Sequence, residues 1–545
     1  MALDPVYYLD DFAQVIAGVR ARYGFLLNDA ERLHLASLDR LSTPARMLYA
    51  RLVNRRGPCF RVARLHYPEI GALDRPLGEL LAQGLIEPCD ARLQPEARQR
   101  LYACFTHAEL KASLRPHAPA AARKDALLGW LSSWDGGDAW LAAFLREHDV
   151  VRIPTRDPWP FLRFLFFGDL RDNLSDFVTR ALGHIVTETI EPARLTAHFQ
   201  NRRAADDAYR MAVLYAEFRA RRDLQPATAI VAWWQAQAVE RNALSAGAAV
   251  VDRLVDRLGR LLERAGETAA ALALYATSPV APARERRARL LIKLGRRNEA
   301  VSVLHAMAEN PCHAEEAYAA RHLLARLDKT SRRSEARHYQ QASDCLVIDY
   351  ANGGVEAAVL AHYRAAGWDG VHSENWLWNA AFGLLLWDVI YDPAIGVFHS
   401  PLQFAPSDLH EPEFYERRRP AIEARLAILA DPAAAHAVMT GHFHAKAGIA
   451  NPFVYWHEDL PRLLGIMLHR LPPPGLGGVL RRLAHDIKRH SRGLPDLFLW
   501  TDDSYRFVEI KSENDHLSPH QYQWLRYFAE ADIRVSLEKI ERPRA

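Results

Sequence analysis

Two short apolar runs near the C-terminus, Leu497-Phe498-Leu499-Trp500 and Phe507-Val508-Glu509-Ile510-Lys511, flank the polar segment Thr501-Asp502-Asp503-Ser504. Asp and Ser bond to their own backbone in turns, so the segment reverses the chain and the two runs pair as an antiparallel hairpin. Side chains alternate along a strand, which points Glu509 and Lys511 one way and Val508 and Ile510 the other. Asp496, after Pro495, stands at the entry to the first strand, and a twisted hairpin brings it opposite Glu509. Two carboxylates at that separation favour a hard divalent cation such as Mg²⁺ or Mn²⁺. Taken alone, the pattern also suits an ordinary hairpin with an acid at a strand start and a Glu/Lys pair on its wet face.

The residues that follow restrict the choice. Ser518 is a natural N-cap and Pro519 a natural first helical residue, so a helix starts there, with Gln521 and Trp524 on one side of it. Trp524 suits the core, and Gln521 is the one of the two able to reach a ligand. Ile533-Arg534-Val535-Ser536-Leu537 then reads as a closing strand. Pro495-Asp496, twelve intervening residues and Glu509-Ile510-Lys511 resemble the PD-(D/E)xK nuclease pattern. The order strand, strand, helix, strand with Gln521-x-x-Trp524 is similar to its VRR-Nuc branch. Further upstream, Gly367-Trp368-Asp369-Gly370-Val371-His372-Ser373-Glu374-Asn375, the apolar stretch Phe382 to Trp387, and Gly396-Val397-Phe398-His399-Ser400-Pro401 resemble the nuclease domain of a bacterial member of the Fanconi-anaemia-associated nuclease family.

That resemblance implies a site. Asp496, Glu509 and the backbone carbonyl of Ile510 would hold the metal, and Glu374 would ligate it or place a water. Lys511 would orient the nucleophile or steady charge on phosphorus. Ser373 is expected to cap a helix and set Glu374 in its first turn; without the family, Glu374 is an acid answering the helix dipole. The implied substrate is 5′-flap and related branched DNA, cut near the junction and degraded 5′ to 3′ in interstrand-crosslink repair.

A net charge of only +3 on 545 residues argues against a uniformly basic surface, so a nucleic-acid contact must be local. The tract Arg481, Arg482, Lys488, Arg489 and Arg492 runs into the hairpin and is expected to meet backbone phosphate. A second tract, Arg284 to Arg289 with Lys293, Arg296 and Arg297, reads as a solvated helix face. Five cysteines without a CxxC pair read as reduced packing residues. No apolar run of about 18 residues suggests a membrane span, and the N-terminus shows no signal peptide, so the chain reads as a cytoplasmic monomer associated with the nucleoid through DNA.

The length suits three or four domains. We expect a multidomain, mainly α protein whose helical regions precede a C-terminal α/β restriction-endonuclease-like domain. Residues 1–100 suggest a winged-helix-like module, from the helix at 44–52, a strand at Phe60 and the helix at 77–83. Residues 101–170 resemble a SAP-like module, with Thr106 as an N-cap and Arg123 and Lys124 as phosphate contacts. Residues 171–340 are TPR-like: Leu262-Glu263-Arg264-Ala265-Gly266 returns as Leu291-Ile292-Lys293-Leu294-Gly295, an offset of 29 residues, short of the roughly 34 of a regular repeat. Asp328 to Glu335 reads as the linker into a nuclease domain at 341–545. The competing function is a TPR-like repair scaffold with an inactive nuclease fold, disfavoured because such a scaffold has no need for three acids and a lysine aimed at one point.

Overall fold

The computed structural model describes residues 7–55, 57, 59–89, 101–102, 104–114, 117, 123–170, 186–244, 248–328, 335–350 and 354–543. The expected linker at Asp328 to Glu335 therefore falls almost wholly outside the described residues. The chain divides into two compact units, one of residues 1–184 with 199–205 and one of residues 185–198 with 206–545.

In the first unit the helices Tyr7–Tyr23, Asp29–Asp39 and Thr43–Val53 precede strand β1 (Cys59–Arg61), helix Asp74–Ala82 and strand β2 (Glu87–Pro88). Capping boxes fix two helix starts, Asn28 with Glu31 and Thr106 with Glu109, each satisfying backbone amides that the first turn leaves without carbonyl partners. Thr106 thus caps its helix as its residue type leads one to expect. Strand β3 (Val150–Arg152) pairs antiparallel with both β1 and β2 and is the middle strand of that sheet. The sheet therefore takes a strand from beyond the 100/101 boundary, and helices His107–Ser113, Lys124–Ser133 and Gly137–Glu147 lie in the chain between β2 and β3.

In the second unit, helix pairs Ala248–Arg264/Thr268–Tyr275 and Ala283–Lys293/Arg297–Glu309 explain the internal echo. Gly266 and Gly295 carry φ of +80° and +73°, a left-handed C-cap that glycine adopts without strain. After each glycine the next amide returns to the equivalent leucine: Glu267 N–H donates to Leu262 O and Arg296 N–H to Leu291 O, both at 2.9 Å. The second basic tract is largely neutralised locally, with Arg284 on Glu316, Arg286 on Glu263, Arg289 on Glu285, Arg296 on Glu299 and Arg297 on Asp328.

The same unit carries a five-stranded sheet of β4 (Asp344–Val347), β5 (Asp369–His372), β6 (Leu497–Trp500), β7 (Tyr505–Ser512) and β8 (Val535–Glu541) in the order β4-β8-β7-β6-β5. β8 runs parallel to β4 and β7, and β6 runs antiparallel to both β5 and β7. One face buries Leu497, Leu499, Val508 and Ile510 against Val359 of helix Val355–Ala365. The other face sets Phe498 and Phe507 in a larger core with Trp378, Phe528, Leu464 and Leu480. β7 is thus covered on both faces, which forces any polar group on it to find a reason for being buried. The closing strand, expected at 533–537, runs Val535–Glu541; its second half pairs with β4, which has no marked apolar pattern of its own.

Candidate active site

Leu497 lies opposite Val508 in the β6–β7 ladder, so one step further sets Asp496 opposite Glu509, on the face of Phe498 and Phe507. Glu509 and Lys511 are 1% and 5% exposed. Lys511 Nζ stands 2.7 Å from Glu509 Oε1, a buried ion pair. Burial, and next the Asp496 carboxylate, push the Glu509 carboxyl up to about 8. Burial also raises Asp496, against the opposing pull of an amide: Ile510 N–H donates to Asp496 Oδ2 at 2.8 Å.

Proline at 495 now has a physical reason. The same register places residue 495 opposite Ile510, and proline has no N–H, so the ladder bond that would occupy the Ile510 carbonyl cannot form. The Ile510 amide donates to the Asp496 side chain. Pro495 therefore does not compete for the Ile510 carbonyl on this side of the strand.

Glu374 sits differently from expectation. Ser373 is not a helix cap: helix Trp376–Leu385 begins three residues later, and Ser373 is buried with its N–H on the Asp496 carbonyl at 2.7 Å. Glu374 therefore occupies the turn before the helix rather than its first turn. It is exposed, has φ of +30°, and donates its own amide to the same Asp496 carbonyl at 2.9 Å. The docking of β5 on β6 overrides the capping preference, because the Asp496 carbonyl, at the entry to β6, faces two amides. Asn375 Nδ2 donates to Glu374 Oε1 at 3.0 Å.

These groups suit a hard cation. Asp496 and Glu509 face each other with Lys511 alongside, and all the donors are oxygens. Among the described residues no three acidic, histidine or cysteine side chains are placed together to hold a metal ion, so Glu374, Asp496 and Glu509 do not form a closed shell by themselves.

The basic tract divides on inspection. Arg481 forms a two-pronged ion pair with Glu423 at 2.7 and 2.6 Å, and Arg489 pairs with Asp486. Arg482 is laid over the rings of Trp524 and Tyr527. Lys488 and Arg492 are exposed. Gln521 spends its side-chain oxygen on the Ser518 amide at 3.0 Å in a capping box, and Trp524 is buried with its indole N–H on Arg492 O at 3.1 Å. Arg123, exposed, and Lys124 start their helix in the first unit. Sequence reasoning missed what Pro495 and Asn375 do; the signal for both was a residue type placed where its usual backbone partner is absent.

The Glu509 shift has a measurable consequence. The unfolded carboxyl titrates near 4.5 and the folded one near 8. The contribution of this group to stability is therefore full below pH 4.5 and is lost as the pH rises through 8. In EDTA the melting temperature is expected to fall between pH 5 and 8, and Glu509→Gln to flatten that slope; equal slopes in the two proteins would mean that Glu509 is not protonated in the folded state.

Comparison with known proteins agrees with this geometry. Residues 6–87 match the family model for the FAN1 HTH domain and residues 431–539 that for the VRR-NUC domain. A Fanconi-associated nuclease 1 homolog of Pseudomonas aeruginosa is 32% identical over 98% of this chain and 95% of its own length. The rice homolog is 25% identical over 98% of this chain and 62% of its own length. Human Fanconi-associated nuclease 1 is 38% identical over 31% of this chain and 18% of its own length. The crystal structure of paFAN1 bound to 2nt 5′-flap DNA with a gap matches with a TM-score of 0.78 and 28% identity over the whole of both chains. Near-complete alignment with the Pseudomonas protein, together with a sheet that carries the acids and lysine of a nuclease site, means that this chain belongs to the Fanconi-associated nuclease 1 family.

Proposed function

We propose that this chain is a divalent-cation-dependent, structure-selective DNA nuclease that cuts 5′-flap and related branched DNA and trims 5′ to 3′, in the repair of interstrand crosslinks. The observation that carries the reading is the rung on which Asp496 faces Glu509 with Lys511 alongside, on a strand covered by apolar side chains on both faces. The substrate class rests on a relative, paFAN1, crystallised on 5′-flap DNA in two structures. The scaffold alternative gives no role to the juxtaposition of Asp496, Glu509 and Lys511.

Asp496, Glu509 and the Ile510 carbonyl would hold Mg²⁺ or Mn²⁺, with Glu374 at the open side. When bound, such a cation polarises the phosphoryl oxygen and lowers the pKa of a water. The protein contributes the rest. Glu509 gives up its proton on taking a cation, since a ligating carboxylate must be ionised. Lys511, fixed by Glu509, presents an ammonium to the charge that grows on the phosphoryl oxygens. The burial of both side chains keeps water from screening that charge.

Cleavage of end-labelled 5′-flap, duplex and single-stranded DNA in Mg²⁺, Mn²⁺ or EDTA tests the reading. We expect flap cutting with either ion and none in EDTA; equal cutting in EDTA would remove it.

For DNA binding, the free exposed cations of the basic tract matter most. Lys488→Glu with Arg492→Glu should weaken binding to every DNA form in EDTA and reduce the log–log salt slope by about 1 for each phosphate no longer neutralised. Arg481→Glu mainly sets two acids against each other at Glu423. An unchanged slope in the Lys488/Arg492 variant would assign those residues to solvent.

A further inference from the structure

Asparagine is among the best helix N-cap residues because its side-chain oxygen accepts an amide of the first turn. Asn375 occupies the N-cap position of helix Trp376–Leu385 and makes no such bond. Its carboxamide is used at both ends for something else. Nδ2 donates to Glu374 Oε1 at 3.0 Å, and Oδ1 accepts from the Leu494 amide at 3.1 Å. Leu494 lies two residues before Asp496, in the segment that opens with Gly493 at φ +79° and includes Pro495.

The surrounding backbone makes this bridge short and rigid. Ser373 and Glu374 both donate their amides to the Asp496 carbonyl. Glu374 itself holds a left-handed φ of +30°, a conformation a side chain of its type adopts only when its surroundings impose it. The indole N–H of Trp376 donates to His372 O at 2.9 Å and closes the same turn from the other side. The backbone thus fixes where Glu374 begins, and Asn375 fixes where its carboxylate ends. With Oε1 taken by the amide, the second oxygen of Glu374 is left for the site.

We infer that Asn375 is a positioning residue, whose carboxamide ties the Glu374 carboxylate to the loop that delivers Asp496 and so sets the spacing of the acids before any cation arrives. This rests on the nuclease reading and on Glu374 lying at the cation site. A helix that forgoes its best cap accepts a local loss, and such losses collect where a site needs the side chain elsewhere. Hydrogen bonds to a ligating carboxylate orient it, and their removal typically weakens metal binding about 10- to 100-fold.

The experiment is calorimetric titration of Mn²⁺ into full-length protein without DNA, for the wild type, Asn375→Ala, Asn375→Asp, Glu374→Gln and the Glu374→Gln/Asn375→Ala pair, with melting temperatures in EDTA alongside. Asn375→Asp keeps the acceptor for Leu494 and replaces the donor facing Glu374 with an oxygen. Both single substitutions at 375 should bind Mn²⁺ at least about 10-fold more weakly. In the Glu374→Gln background, Asn375→Ala should add less than about 2-fold, because two residues acting as one unit are not additive. A full additional loss in that background would show that Asn375 acts through the Leu494 loop alone and would overturn the inference, as would normal or tighter Mn²⁺ binding by Asn375→Asp. Wild-type protein that binds no Mn²⁺ would instead remove the nuclease reading on which this rests.

Discussion

Asp496→Asn protein is expected to cut 5′-flap DNA about 10³-fold more slowly than the wild type, while binding the same DNA in EDTA within about 2-fold. Asparagine keeps the volume of aspartate, and its side-chain oxygen still accepts the Ile510 amide, so the hairpin keeps its register. The Asp496 carbonyl that receives Ser373 and Glu374 is backbone and is untouched. What is lost is one negative charge facing Glu509. That charge is part of why the Glu509 carboxyl stands high, so its removal should also lower the Glu509 pKa and weaken the pH dependence of metal-free stability. A variant with an unchanged melting profile, no cleavage and tenfold weaker DNA binding would show that Asp496 organises the DNA surface rather than the chemistry.

The parts of this site legible in the sequence are those written in strand alternation. The positions of Glu509 and Lys511 follow from period two, and that of Asp496 from the turn between the strands; the β6–β7 register places all three as the pattern demands. The helix after Ser518 was legible for the same reason, since caps are local chemistry. Glu374 was not, because its turn is set by a carbonyl more than a hundred residues away in the chain, and no local rule assigns a left-handed φ to glutamate. The middle strand of the first unit was equally hidden: Val150–Arg152 is three residues long, and its partners at 59–61 and 87–88 lie far earlier in sequence. Likewise, the basic tract read as one surface in sequence, but carboxylates and rings brought in by folding engage Arg481, Arg482 and Arg489 and leave Lys488 and Arg492 outward.

Lys511→Met should separate binding from turnover in the opposite sense to Asp496→Asn. Methionine retains most of the length and apolar contact of a lysine stem that is buried here, so the fold should tolerate it. Removing an ammonium from beside Glu509 removes a repulsion that any divalent cation at the site would feel, so Mn²⁺ affinity at a pH well above 8 should be equal or higher. At neutral pH the order reverses. Lys511 is one of the groups holding the Glu509 carboxyl down, and without it the carboxyl rises further, so more of the protein must lose a proton before the ion can bind. The apparent affinity should therefore climb more steeply with pH in the variant than in the wild type. Cleavage at saturating metal and high pH should still be lower by about 10²- to 10³-fold, the usual effect of deleting one preorganised charge from a phosphoryl-transfer site. If cleavage recovered fully once the metal site was filled, Lys511 would serve only to keep Glu509 ionised, and its role at the phosphate would be withdrawn.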